Sequence, residues 1–187
     1  YADGESNEQT SHARWVGLTG KFGQITAGIH ESQFKLIGRA VELFPDYVGY
    51  NRDILAATAN SGQKWDLRPT NSIRYQTPSF NGLQAVYQYS ADTTAATGSE
   101  DNRRRADSLS AAYTAGPLYL AYARETHRLN TIADGGNPTE TGQRLAGSYN
   151  FGAFKLVALY QDLKDLGGTA TGAASIKRKS WGAGGAY

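Results

Sequence analysis

The chain has 187 residues, a net charge of +2, 22 Gly, 12 Tyr, 5 Pro and neither Cys nor Met. Without Cys there are no disulfides and no thiolate chemistry, and so small a charge does not by itself point to nucleic acid. A mean hydropathy of −0.52 with no long apolar run excludes a transmembrane helix, but not a membrane barrel, whose strands are about 10 residues long and polar on one face.

The hydrophobic content of 40% is low for a soluble all-β protein with a packed core, which leans toward a barrel. The absence of Met, and of any leader at Tyr1, is read as the mark of a processed or excised chain.

In chain order the alternation of residue types predicts about nine strands. Arg14 to Thr19 turns at Gly20-Lys21-Phe22-Gly23 into Gln24 to Ile29. A long irregular stretch, residues 31–70, follows. Asn71 to Thr77 closes at Pro78-Ser79-Phe80-Asn81-Gly82 into Leu83 to Ser90, and a polar loop leads to Arg105 to Thr114. Ala115-Gly116-Pro117 turns into Leu118 to Glu125; after another polar loop come Gln143 to Asn150, Phe154 to Asp162, and finally Ile176 to Tyr187. Turns of about three to five residues thus alternate with loops of more than about ten, the asymmetry of outer-membrane barrels with their short periplasmic turns. That rule sets Lys21, Phe80, Gly116 and Gly152 at the periplasmic end.

The two faces of each strand agree with this. Leu83, Ala85, Tyr87 and Tyr89 share one parity, as do Leu118, Leu120 and Tyr122, while Arg74, Gln84, Ser108, Ser110 and Arg144 fall on the other. Val157 and Leu159 break the pattern by falling on the polar side. Aromatics gather near strand ends, as in interfacial girdles. The tyrosine face is expected to meet lipid and the Arg74 face a water-filled lumen.

At this point two motifs carry a resemblance. "RWVGLTGKFGQITAGIHES", Arg14 to Ser32, resembles the strand-turn-strand that leads into the constriction loop of Gram-negative general porins. "RPTNSIRYQTPSFNGLQAVYQYS", Arg68 to Ser90, resembles the strand pair that leaves it. The likeness is to the β-proteobacterial (Neisseria and Burkholderia) type and covers about a quarter of the chain.

The resemblance implies an all-β antiparallel transmembrane β-barrel of about 16 strands in the full protein, with about nine here. It also implies a homotrimer in the outer membrane, passing ions and small hydrophilic solutes passively. Residues 1–187 are then one barrel domain, incomplete at both ends, with 31–70 the constriction loop folded into the lumen. Ile29 stands where many members carry Arg near the subunit contact.

A barrel of that size stays open unless something narrows it, and a loop of about forty residues without structure is uncommon and usually functional. By parity Arg14, Arg68 and Arg74 point inward. The resemblance assigns them as the basic side of the constriction, and Glu42, Asp46 and Asp53 on the loop as the acidic side. Opposed charges in a narrow, weakly screened neck order water and sort solutes by charge. With three bases added to a near-neutral loop the neck leans basic, and a weak anion preference is expected.

"DNRRRAD", Asp101 to Asp107, is flanked by acids and suits a solvated loop base contacting lipopolysaccharide phosphates rather than nucleic acid. His12, His30 and His127 show no metal-ligand spacing. No GxSxG, P-loop or calcium-loop pattern is present, so no enzyme, metal or cofactor is expected. The alternatives are a substrate-specific outer-membrane channel and a soluble β-sandwich binding module that buries its tyrosine face.

Overall fold

The computed structural model describes residues 14–43, 65–66, 68–91, 105–128, 139–166 and 176–187. Among them are β1 (Arg14–Gly20), β2 (Gly23–Ile29), α1 (Gln33–Ala40), β3 (Ser72–Gln76), β4 (Leu83–Ala91), β5 (Arg105–Ala115), β6 (Leu118–Arg128), β7 (Thr139–Asn150), β8 (Lys155–Leu166) and β9 (Ile176–Ala186). The strands form one sheet in chain order, β1 to β9, every pair antiparallel. All nine expected strands are present. β6, β7 and β8 run several residues further toward the long loops than alternation alone suggested, to Arg128, from Thr139 and to Leu166. No helix among the described residues is long and apolar enough to cross a membrane, which says nothing of strands.

The short turns are fixed by local chemistry. Asn81 and Gly82 both take positive φ, 48° and 84°. Phe80 and Leu83 exchange backbone hydrogen bonds of 2.8 and 2.9 Å across them. That is the Asn-Gly two-residue hairpin whose twist matches the strands it joins. At the β7–β8 turn the Asn150 side-chain oxygen accepts from the Gly152 N–H at 3.1 Å.

Register assigns every strand residue to a face. On β4 to β9, Leu83, Tyr113, Leu120, Gly147, Ala158 and Ala183 lie side by side in one row of the outer face. Leu109, Tyr122, Leu145, Tyr160 and Trp181 share that face and are exposed. Toward the short turns it ends in paired rings, Tyr149 on Phe151 and Phe154 on Tyr187, with centroids 4.4 and 4.7 Å apart. An apolar band bounded by aromatics is what lipid contact requires.

The inner face has a polar part and an apolar part, both buried. Ser72, Gln88, Ser90, Ser108 and Ser110 line it near β3 to β5. Further along, Ala121, Ala123, Ala146, Leu159 and Leu163 form a dry pad, with Val157 packed against its edge. Phe34, Ile37 and Val41 of the α1 segment, together with Trp65, sit on that pad. The two residues that broke the alternation, Val157 and Leu159, are thus part of a seat for the intervening segment. Their parity was right and their polarity reflects what covers them.

Residues 31–70 were expected to be structureless, and this is corrected: Gln33–Ala40 is helical. Ser32 caps it, its hydroxyl accepting from the Lys35 N–H at 3.3 Å. Phe34, Ile37 and Val41, at i, i+3 and i+7, give the apolar stripe that faces the wall. The helix contacts β4, β5, β6 and β7.

The row through Leu120 lies mid-band on the outer face. Replacing Leu120 with Arg is expected to destabilise the protein in a bilayer by about 2–4 kcal/mol, the usual depth-dependent cost. Urea unfolding in lipid vesicles measures it; a loss below about 0.5 kcal/mol would contradict lipid exposure of this face.

Candidate functional site on the inner face

Two charged assemblies hold the α1 segment. The first is built on Arg144 of β7, which is buried. Its Nη1 donates to the Phe34 carbonyl at 2.8 Å and to Asp66 Oδ1 at 2.9 Å. Its Nε and Nη2 both donate to Gln161 Oε1, at 3.2 and 2.7 Å. The guanidinium also lies over the Phe34 ring, 3.9 Å from its centroid. One wall arginine therefore grips the helix backbone, an aromatic of the helix and a carboxylate on the returning arm. Gly38 makes room: a Cβ there would lie 2.7 Å from Arg144 Nη1.

Beside it, His127 sits between Glu125 and Glu140, its Nε2 2.8 Å from one carboxylate and its Nδ1 3.7 Å from the other. Ser108 donates to Glu125 at 2.8 Å and in turn accepts the Gln33 N–H at 3.1 Å, so the polar chain reaches α1. Trp65 stacks on the imidazole with centroids 4.2 Å apart. It lies over Gly142, where a Cβ would meet its ring at 2.4 Å.

The second assembly is at the mouth of the helix. Glu31 meets Lys35 at 2.9 Å, Arg39 at 2.6 Å and Arg68 at 2.9 Å. Burial works to raise its pKa, but the hydrogen bonds and charges of Lys35, Arg68 and Arg39 outweigh it and bring the carboxyl from 4.5 down to about 2.

The expected site residues separate on inspection. Arg74 of β3 is half-buried on the inner face, across from Thr26 and Gln88, and donates to Gln76 Oε1 at 2.5 Å. Burial, and then the charge of Arg74, lower the pKa of nearby His30. Arg68 lies on the returning arm rather than in a wall strand, and its partner is Glu31.

Arg14 is a correction. It pairs with Ile29 and shares the parity of Val16, 75% exposed, whereas its neighbours' inner face is marked by Thr26, 2% exposed, across from Gly17. Register sets Arg14 on the outer face, because the inward parity of β1 belongs to Trp15, Gly17 and Thr19. Glu42 is half-buried just past α1, its N–H bonding the Arg39 carbonyl at 3.1 Å. Asp46 and Asp53 lie outside the described residues.

Sequence reasoning missed Glu31 and Arg144 as site residues. Arg144 was legible only as an inward arginine. For Glu31 the spacing to Lys35, one helical turn on, was the available signal.

The family model for Gram-negative porins matches residues 2–187. The chain belongs to that family. The Outer membrane porin protein 32 of Delftia acidovorans is 31% identical over 165 residues, which are 82% of this chain and 44% of that porin. Among solved structures, an anion-selective porin from Comamonas acidovorans matches with a TM-score of 0.68 at 24% identity, covering 93% of this chain and 52% of its own. The chain spans about half the length of these relatives. The nine-stranded sheet is accordingly a porin-barrel sheet, the β-proteobacterial likeness read from the motifs is borne out, and the porin's place is the outer membrane of a Gram-negative bacterium.

Two outcomes follow from this porin's charged assemblies. Asp66→Ala leaves Arg144 buried without its charge partner, a change that costs about 3–5 kcal/mol when it breaks a buried pair. It should make α1 on the order of tenfold or more easier to cut in limited proteolysis while the barrel stays intact. Unchanged cutting would mean Asp66 does not hold the segment.

The second outcome concerns pH. Glu31 has a folded pKa below its unfolded one, so its contribution is present above about pH 4.5 and lost as pH falls toward 2. Tryptophan fluorescence during acid titration should show that loss in the wild type and a flatter curve for Glu31→Gln.

Proposed function

We propose that the full protein is an outer-membrane porin: a water-filled channel for passive diffusion of ions and small hydrophilic solutes, with a weak anion preference. The single observation that carries this is the α1 segment held against the inner face of a porin-barrel sheet by Arg144. A segment fixed there narrows the lumen. Residues 31–70 are on this reading the constriction loop of one barrel domain spanning 1–187, and the porin works as a homotrimer.

The neck then presents Arg74 from the wall and Arg68 and Arg39 from the loop, with Glu42, Asp46 and Asp53 on the acidic side. Arg144 and Asp66 pair with each other in the seat; of the other described charges of the segment and β3, Lys35, Arg39, Arg68 and Arg74 are cationic and Glu31 and Glu42 anionic. An excess of fixed positive charge in a narrow aqueous passage concentrates anions and repels cations, over a range set by the Debye length of about 10 Å at 0.1 M salt. The Comamonas porin is anion-selective, which supports the sign.

On the outer face, exposed Arg105, Arg124 and Arg128 lie at the long-loop end of β5 and β6. There they suit the phosphates of lipopolysaccharide, with membrane lipid below.

The full-length protein, folded and added to a planar bilayer under a salt gradient, should give stepwise currents whose reversal potential has the anionic sign. Arg74→Gln should move that potential toward zero. A strong cation preference in the wild type would overturn the reading of the neck.

A further inference from the structure

We infer that Glu31 is the specificity-determining residue of this neck: it sets how strongly the channel prefers anions, by neutralising part of the basic cluster and aiming the rest. The inference rests on the channel reading above.

The geometry is unequal in a telling way. Glu31 is 11% exposed, and the cations around it are Lys35, which is buried, Arg39 at 54% and Arg68 at 38%. One carboxylate lies beneath, with two guanidinium groups spread above it toward water. Glu31 Oε2 accepts from Arg39 Nη1 at 2.6 Å, while Oε1 accepts from Arg68 Nε at 3.0 Å. Arginine donates from a rigid planar fork, so an edge bound to the carboxylate fixes where the remaining N–H groups point.

These two arginines come from opposite arms of the intervening segment, Arg39 from the end of α1 and Arg68 from the stretch before β3. Without a shared anion they would repel each other. Glu31 is therefore what permits two exposed arginines to stand side by side in the passage. Its charge also subtracts from theirs, so an entering anion meets an attenuated, oriented pair rather than a bare cluster. The same three cations keep the carboxyl ionised down to about pH 2, so this attenuation does not titrate across the ordinary pH range.

The test is the reversal potential of the full-length protein in a planar bilayer under a potassium chloride gradient. Glu31→Gln keeps the shape and one acceptor while removing the negative charge. It should raise the anion-to-cation permeability ratio roughly twofold, the effect of one unit charge at about 8 Å on both ions once about 0.1 M salt screens it. Arg39→Gln changes an exposed side chain outside the packed seat. It keeps the test open if Glu31→Gln fails to fold, and it should lower the ratio.

A ratio unchanged or lowered in Glu31→Gln, or unchanged or raised in Arg39→Gln, overturns the inference while leaving an anion-selective wild-type channel standing. A wild-type protein that gives no stepwise current, or prefers cations, overturns the channel reading and this inference with it.

Discussion

A guanidinium taken out of water must have its charge and its donors answered nearby, and Arg144 is the place where this chain meets that demand. The wall supplies Gln161, and everything else comes from the segment that the wall must hold: the Phe34 carbonyl, the Phe34 ring and Asp66. Docking is what takes the cation out of water, so the segment that buries it must also bring its carboxylate, and Asp66 buried there needs the guanidinium in return. The position of α1 on the inner face follows from that mutual need more than from the short helix itself, since eight residues are marginal in isolation.

Apolar packing then fills in around the charge. The pad under α1 is made largely of alanines on β6 and β7, with Leu159 and Leu163 on β8. Small wall residues let the segment come close, and the absence of a side chain at Gly142 and Gly38 lets Trp65 and Arg144 reach their seats. Gly184 does the same for Leu43, where a Cβ would stand 3.0 Å from Leu43 Cδ1. The inner surface is in this way divided between a buried polar part lined by serines and a glutamine and an apolar part shaped to one occupant. One chain of buried polar groups runs beside it, from Gln33 through Ser108 and Glu125 to His127.

Much of this fold is legible in the sequence. Period-two alternation found every strand, and turn residues such as Asn81 and Gly82 found the short connections, because both depend on neighbours in sequence. The face of Arg14 was legible but misread, since it shares the parity of the apolar Val16 and Leu18. The pairing of Arg14 with Ile29, and of Gly17 with buried Thr26, agrees with that parity. The helix was hidden by its length and by Gly38 within it, although Ser32 and the Phe34, Ile37, Val41 spacing encode it. Val157 and Leu159 looked like errors of pattern because the helix residues of their cluster, Phe34 and Ile37, are more than a hundred residues away in sequence. Arg144 acquires its role only from contacts distant in sequence, and Glu31 in part, through Arg68 37 residues on. Arg144 lies 110 residues from the Phe34 carbonyl it binds and 78 from Asp66.

Those separations have a temporal consequence. Every strand pairs with its neighbour in the chain, so each hairpin closes over a short span and the sheet can grow in sequence order. The α1 segment is made early, between β2 and β3, but its carbonyl, its ring and its tryptophan companion find their partners on β6, β7 and β8. During growth the segment must wait, undocked, until the far wall exists. The segment can take its seat only once β6, β7 and β8 have formed, when Arg144 is in place to receive it.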